Sequence, residues 1–195
     1  MTSGFKRSLV RAIASLVLSA AVPGAAPAFA SPITIGDPLW YEFSWNGPSL
    51  AIGCAPADPG ALTCAPSSAG NSQFAGVPAW TFTAPTSVVF TITDAYVAIE
   101  RFEVFDFGTS IGLTSAIVPS FTNNCASDPA VCLADARFSH GVFNLAPGAH
   151  SITIAQLLPS VGGAGYFRVT AVPEPSTILL LGTGLLAMAR RRWRG

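Results

Sequence analysis

Four carboxylates in the middle of the chain are the residues best placed to do chemistry: Asp94, Glu100, Glu103 and Asp106. Oxygen ligands gathered near the ends of adjacent strands are what calcium requires, so these four are candidate calcium ligands. Because no calcium loop of fixed spacing surrounds them, we favour a solvated acidic face with Arg101 paired across it. Two carboxylates also serve glycoside hydrolysis, but spacing in sequence does not show whether a pair faces a groove.

A possible nucleophile lies in the segment Gly108–Gly112, which matches the G-x-S-x-G elbow with Ser110 at its centre. An elbow needs a helix directly after the serine, whereas the residues that follow are largely β-branched and end in Pro119. The two histidines of the chain, His140 and His150, lie beside a glycine turn or open a strand, where a solvent-facing polar residue is usual. We therefore interpret the segment as a hairpin turn. The sequence predicts no catalytic residue and no cofactor.

Aromatic residues offer a route to binding, because an exposed Trp or Tyr on a sheet face stacks on sugar rings. Trp40 interrupts the alternation of its strand, and this predicts an exposed side chain. Most of the other aromatic residues alternate as core residues do. The sequence therefore predicts packing in the core for Trp45, Trp80, Phe82, Phe90 and Phe102.

The chain has four cysteines, Cys54, Cys64, Cys125 and Cys132. An even number of cysteines in an exported segment indicates disulfides. Of the three possible connectivities, loop-closure entropy favours the local pairs, Cys54 with Cys64 and Cys125 with Cys132. A zinc site is not indicated, because the C-x-x-C pairs and the histidines at fixed offsets that it requires are absent from the sequence.

The charge of the segment 31–171 excludes one class of partner. This segment has three basic residues, all arginine, against nine acidic ones, which gives a net charge of −6 that the basic ends of the chain hide. Nucleic-acid binding needs clustered Lys and Arg to neutralise phosphates. DNA and RNA are therefore excluded as partners.

The same segment has the period of two that is typical of β-strands. One example places Tyr41, Phe43 and Trp45 on one face of a strand and Glu42 and Ser44 on the other. Short strands separated by Gly, Pro, Asn and Asp predict an all-β domain, an antiparallel β-sandwich of the jelly-roll type. No helix is predicted in it. The predicted strands are 40–45, 80–83, 87–93, 101–107, 111–114, 138–145, 151–157 and 165–171.

The first 30 residues have the three parts of a secretory signal peptide. These are a cationic leader with Lys6, Arg7 and Arg11, an apolar core from Ala12 to Val22, and an A-x-A cleavage site at Ala28-Phe29-Ala30. Cleavage after Ala30 makes Ser31 the first residue of the mature chain. The Sec translocon and signal peptidase are the expected partners of this segment.

The last 24 residues also have three parts, which follow one another directly. They are the spacer Val172-Pro173-Glu174-Pro175-Ser176, an apolar run from Thr177 to Ala189, and the basic end Arg190-Arg191-Arg192-Trp193-Arg194. The prolines keep the spacer extended and out of the helix. Arginines stay charged and resist transfer across a bilayer, so they fix this end in the cytoplasm.

This arrangement resembles the PEP-CTERM sorting signal of Gram-negative bacteria. The resemblance implies an exported protein whose tail is recognised and cut by exosortase, a membrane-embedded transpeptidase, often in bacteria that make exopolysaccharide. It divides the chain into a signal peptide (1–30), an exported domain (31–171) and a sorting signal (172–195). It also implies a precursor anchored in the inner membrane and facing the periplasm, and a mature protein at the cell surface or outside the cell.

Two interpretations of the tail and two of the exported domain stay open. A helix over the apolar run would rise only about 20 Å against a hydrocarbon core of about 30 Å, which fits a temporary anchor, although a permanent one is the alternative. For the exported domain we favour a non-catalytic surface or matrix protein associated with exopolysaccharide. The alternative is a small secreted enzyme that acts on polysaccharide or a calcium-dependent carbohydrate-binding module.

Overall fold

The computed structural model describes residues 30–47, 49–122, 125, 127–157 and 162–172. Ten strands and one short helix lie in this part of the chain. In chain order they are β1 (Ser31–Pro32), β2 (Trp40–Trp45), β3 (Ser72–Phe74), β4 (Trp80–Ala84), β5 (Val88–Asp94), β6 (Phe102–Asp106), β7 (Thr109–Leu113), α1 (Pro129–Ala134), β8 (His140–Leu145), β9 (Gly148–Gln156) and β10 (Gly163–Ala171). The prediction of an all-β domain is confirmed in that the described chain is mostly strand.

The strands form two five-stranded sheets. The first sheet has the order β1-β4-β9-β6-β7 and the second sheet the order β3-β2-β10-β5-β8. Neighbours are antiparallel except at one edge of each sheet, where β1 lies parallel to β4 and β3 parallel to β2. The expectation of purely antiparallel pairing is therefore wrong at these two edges. Parallel neighbours need a long connection, and long connections join both pairs along the chain.

One aromatic core lies between the two sheets. The ring of Phe43 on β2 lies 5.5 Å from that of Phe102 on β6, and the ring of Trp80 on β4 lies 4.9 Å from that of Phe167 on β10. These contacts cross from one sheet to the other, so each sheet buries its inner face against its partner. The predicted core residues Trp45, Trp80, Phe82, Phe90 and Phe102 are all buried.

The outer face of the second sheet is buried as well, which the alternation did not predict. Glu42 is 0 % exposed, and Trp40, expected at the surface, is only 2 % exposed. Two segments lie over this face, 95–101 and the described part of 114–139, and together we call them the cover. The Tyr166 hydroxyl on the outer face donates to the Ser127 carbonyl in the cover at 3.0 Å.

The short helix α1 lies in the cover and was not predicted. Asp128 is its N-cap and accepts a hydrogen bond from the backbone N of Ala130 at 2.9 Å, and Pro129 occupies the first turn. An aspartate followed by proline is a favourable helix start. Six residues are too few to show a helical stripe of apolar residues, so the pattern in the sequence missed it.

None of the helices among the described residues is long and apolar enough to span a membrane. The predicted apolar run from Thr177 to Ala189 lies outside those residues, as does the leader before Ala30.

Candidate functional site

Asp94 and Glu100, two of the four carboxylates singled out in the sequence, lie together in the interior. They are 0 % and 3 % exposed. Asp94 accepts hydrogen bonds from the backbone N of Ala95 at 2.8 Å and of Glu100 at 3.3 Å. Burial is the main cause that raises the pKa of Asp94 well above its ordinary range. Repulsion by the Glu100 carboxylate is the second cause. The expected solvated acidic face is therefore wrong for this pair.

The other two carboxylates, Glu103 and Asp106, lie on β6 and have partners of their own. Glu103 accepts a hydrogen bond from Ser110 Oγ at 2.6 Å, and Asp106 accepts one from the backbone N of Ser151 at 2.9 Å. Arg101, expected to pair across the acidic face, donates from Nε to the Thr114 carbonyl at 3.0 Å. Within the described ranges the four carboxylates form no group of three or more that could share one metal ion.

His150 is buried and hydrogen-bonded, whereas the sequence predicted a solvent-facing side chain. It is 7 % exposed, and its ring lies 4.9 Å from that of Phe82. Its Nδ1 lies 2.7 Å from Asp106 Oδ2, and its Nε2 lies 2.9 Å from the Ala146 carbonyl oxygen. The pair ties β9 to β6 and has a structural role.

The G-x-S-x-G segment is a hairpin, as the sequence predicted. Phe107 and Gly108 form the turn between β6 and β7, which pair antiparallel, so a strand follows the turn where an elbow requires a helix. Ser110 is hydrogen-bonded to Glu103, and the Nδ1 of His140 lies 3.1 Å from the Phe138 carbonyl oxygen. No serine–histidine pair is assembled at Ser110.

Glu42 is another buried carboxyl group, which sequence reasoning placed on the face of β2 opposite Tyr41, Phe43 and Trp45. It is completely buried, and no hydrogen bond reaches its Oε2. Burial, partly offset by a hydrogen bond with Tyr96, raises the pKa of Glu42 from 4.5 to about 7. A carboxyl group with a pKa near neutrality beside a cleft is suited to proton transfer.

Tyr96 makes a hydrogen bond that acts against the effect of burial on Glu42. The Tyr96 oxygen lies 2.8 Å from the Ala65 carbonyl oxygen and 3.0 Å from Glu42 Oε1. The hydroxyl group has one proton, which it donates either to the Ala65 carbonyl or to Glu42. Donation to Glu42 stabilises the carboxylate and so lowers the pKa of Glu42, but burial has the larger effect.

A cleft of about 230 Å³ lies next to Tyr96 and Cys64, which are neighbours of Glu42, but Glu42 itself does not line the cleft. It is lined by Ser44, Leu62, Thr63, Cys64, Ala65, Tyr96, Gly163 and Ala164. A carboxylate oxygen of Glu42 and the sulfurs of Cys54 and Cys64 all lie within 4.8 Å of one another. The two sulfurs form a disulfide, so these three side chains are not a metal site. The Glu42 carboxyl group instead lies beside a disulfide. One signal in the sequence could have found it: a single acid inside the aromatic strand W-Y-E-F-S-W.

Both disulfides of the structure are local. Cys54 pairs with Cys64, and Cys125 pairs with Cys132, the latter joining α1 to the residues that precede it. The second pair packs in a small cluster with Ala98 and Phe138. Each bridge closes a loop in the connections between strands, where apolar burial alone is small.

The structure describes residues at both predicted ends of the exported domain, Ser31 at the start and Val172 just after the end. Ser31 opens β1, and its backbone N lies 3.1 Å from both the Val77 and the Ala79 carbonyl oxygens. At the other end the backbone N of Val172 donates to the Ser87 carbonyl at 3.0 Å. The remaining predicted processing residues lie outside the described chain: Ala28, Pro173, Glu174, Pro175, Ser176, Arg190, Arg191, Arg192 and Arg194.

Comparison with protein families gives a match at this second end. The model of the PEP-CTERM protein-sorting motif matches residues 171–192. The match begins at the last residue of β10 and contains the Pro-Glu-Pro spacer, the apolar run and the first three arginines of the basic end. Comparisons with curated proteins and with solved structures found no match to the chain.

Proposed function

We propose that this chain, which is a PEP-CTERM protein, works as a non-catalytic structural protein of the cell surface or extracellular matrix, in association with exopolysaccharide. The motif implies that the protein is exported, held at the membrane, processed by exosortase and directed to the surface. The proposal adds that the precursor is anchored in the inner membrane, faces the periplasm, and releases a folded domain when its tail is cut.

One observation carries the proposal. Strand β10 lies between β2 and β5 at the centre of the second sheet, and it ends at Ala171, where the matched motif begins. Cutting anywhere within the motif beyond Val172 therefore leaves all the described strands and core residues in place. A sorting tail directly after a complete two-sheet domain is the arrangement expected of a protein that is delivered as a folded unit.

We further propose that the domain is a jelly roll with two added edge strands. Without β1 and β3, the first sheet has the order β4-β9-β6-β7 and the second the order β2-β10-β5-β8, all antiparallel. Eight antiparallel strands in two facing sheets, with distant strands of the chain as neighbours, are typical of the two Greek keys of that fold.

We also propose that signal peptidase cuts after Ala30, directly before Ser31, where β1 begins. Two disulfides in a domain without lysine also fit an exported protein.

Association with exopolysaccharide rests on the setting in which PEP-CTERM proteins occur. Trp40, Trp45 and Trp80 are buried, so stacking of sugars on the described surface falls to phenylalanines such as Phe107 and Phe121, which are 66 % and 80 % exposed. Co-sedimentation of the purified protein with the exopolysaccharide of its host, compared with an unrelated polysaccharide, tests this part of the proposal.

An enzyme is the second candidate, and Glu42 is the observation that favours it. Its raised pKa suits a general acid, but glycoside hydrolysis uses two carboxyl groups across a groove. The residues that line the cleft contain no carboxylate. We therefore keep the non-catalytic role. Release of reducing sugar by the native protein that disappears in Glu42→Gln would favour the enzyme.

The mass of the mature protein is the main test. The full chain is expressed with an active exosortase and with an inactive one, and the intact mass of each product is measured. We expect both products to begin at Ser31, and only the first to lack the arginine end. A chain with Pro173→Ala and Glu174→Ala in the spacer is the matched control and keeps its tail. An intact tail beside active exosortase contradicts the proposal.

A further inference from the structure

The two disulfides have different access to solvent. Cys64 is 9 % exposed and lines the cleft, whereas its partner Cys54 is 0 % exposed. Cys125 and Cys132 are both 0 % exposed. Thiol–disulfide exchange requires a thiolate to reach one sulfur in line with the S–S bond, so access decides which disulfide reacts. In the Cys54–Cys64 bridge, Cys64 borders the cleft and keeps some exposed surface, whereas Cys54 is fully buried.

The shielded sulfur has a proton donor beside it. The Glu42 carboxylate oxygen lies within 4.8 Å of both sulfurs of this bridge, a gap that one water or a small side-chain rotation spans. The Glu42 Oε2 has no hydrogen-bond partner, so this oxygen is available to give a proton to a sulfur. Asp58, the acid within the same loop, is already used, because its two oxygens accept from the backbone N of Gly53 and Gly60.

We propose that Cys54–Cys64 is a thiol–disulfide exchange site for dithiol reductants, attacked at Cys64, with Glu42 giving its proton to the departing Cys54 sulfur. This activity goes beyond the structural role proposed above and does not depend on it. It makes the 54–64 loop a part of the surface that a dithiol opens by reduction.

The exchange balances in two steps. The thiolate of the dithiol attacks Cys64, the Cys54–Cys64 bond breaks, and a mixed disulfide forms between Cys64 and the reductant. The electron pair stays on Cys54, which takes the Glu42 proton and becomes a thiol. The second thiol of the reductant, as its thiolate, then displaces Cys64, which takes a proton from solvent. The reductant leaves as a cyclic disulfide, and Glu42 regains a proton from solvent.

The effect of Glu42 changes sign with pH. The groups that face it are Tyr96 from the cover and Tyr166 from β10, while Arg168 on the same strand lies over the ring of Trp40 at 4.3 Å. The pKa of Glu42 is about 7. Below that pH the carboxyl group is protonated and assists the leaving thiolate. Above it the carboxylate repels both the incoming and the leaving thiolate.

The test is the rate of reduction of each disulfide in the full-length chain, purified in detergent. Dithiothreitol is added at several pH values between 5 and 8.5, samples are quenched by alkylation, and mass spectrometry reports each cysteine pair. Rates are divided by that of a peptide disulfide in the same tube, which cancels the ionisation of the reductant. We expect Cys54–Cys64 to react first, with a relative rate that falls on the order of tenfold as pH rises through 7.

Variants separate the effect of the Glu42 carboxyl group on the reduction rate from an effect on the fold. Glu42→Gln is expected to flatten the pH profile, so that the variant is slower than the native chain at pH 5.5 and faster at pH 8.5. The rate at Cys125–Cys132 stays the same in both. Glu103→Gln, on the exposed side of β6, is the matched control and keeps the native profile. If Glu42→Gln does not fold, the pH profile of the native chain is the test. A relative rate that does not change with pH overturns the proposal, and so does reduction of Cys125–Cys132 before Cys54–Cys64.

Discussion

The two faces of the second sheet are both buried, but different chemistry buries them. The inner face presents Phe43, Phe90 and Phe167 to the first sheet, and these rings meet others at 4.9 to 6.1 Å. The outer face presents Glu42 and Tyr166, both 0 % exposed, to the cover. Apolar burial needs only area and close packing, whereas each buried polar group needs a partner with the right geometry.

The difference means that the two faces contribute differently to the folded state. The inner face stabilises the domain through removal of aromatic surface from water. The outer face gains less, because its hydrogen bonds replace those with water, and Glu42 keeps one oxygen without a partner. We infer that the inner core provides most of the stability. The outer face and its cover form a less stable layer, which contains the titratable group Glu42.

The largest expected effect comes from the inner face. Phe167→Ala removes a fully buried ring and leaves a cavity, so the free energy of unfolding should fall by about 3 to 5 kcal/mol. Denaturant unfolding with both disulfides intact measures it. Phe107→Ala, at a turn residue that is 66 % exposed, is the control and should change stability by less than about 0.5 kcal/mol. The ring contacts that Phe167→Ala removes are those with Tyr41, Phe43, Trp80 and Phe90.

An equal and small loss for both variants would remove the contrast between the faces. It would mean that the aromatic core collapses around the missing ring, so that apolar area between the sheets is not the dominant stabilising factor.

The next effect is a pH dependence from the outer face. The folded state raises the pKa of Glu42 from 4.5 to about 7, so between these values the folded chain binds more protons than the unfolded chain. Stability from this group is therefore greatest below pH 4.5 and is lost as pH rises to 7, by at most about 3 kcal/mol. Asp94, whose pKa burial also raises, acts in the same direction.

The variant Glu42→Gln isolates the contribution of Glu42. Unfolding free energies of the native chain and the variant are compared at pH 4.5, 6 and 7.5, so that Asp94 cancels in the difference. We expect the native chain to lose stability relative to the variant across this interval. A difference that stays constant with pH would show that Glu42 titrates normally and that the outer face carries no special group.

The sequence predicted the inner face well. Eight of the ten strands follow from a period of two, because inward residues such as Phe43, Trp45 and Phe90 are all large and apolar. Short loops between cysteines also made local disulfides the favoured pairing, and the structure has that pairing. Both results rest on signals that are local in the chain.

The outer face could not be predicted from local signals. A polar residue that alternates with aromatics, as Glu42 does, is normally solvated. Its burial comes from the Cys54–Cys64 disulfide and from Tyr96 in the cover, 54 residues away in sequence. The same holds for Trp40 and His150, whose burial depends on distant strands and loops. The short strands β1 and β3 and the helix α1 are below the length at which a period is visible.

The smallest effect tests whether the cover is a separate layer. Asp128→Ala removes the N-cap of α1 and its contact with Asn71, and should lower stability by about 1 kcal/mol. Asp128→Asn keeps a capping oxygen and is the matched control, with a loss of a few tenths of a kcal/mol at most. Hydrogen exchange should become faster for amides of 127–135 in Asp128→Ala, with β10 unchanged, because local opening needs less free energy than global unfolding. Equal acceleration in β10 would show that cover and sheet open together, and the two faces would then belong to one cooperative unit.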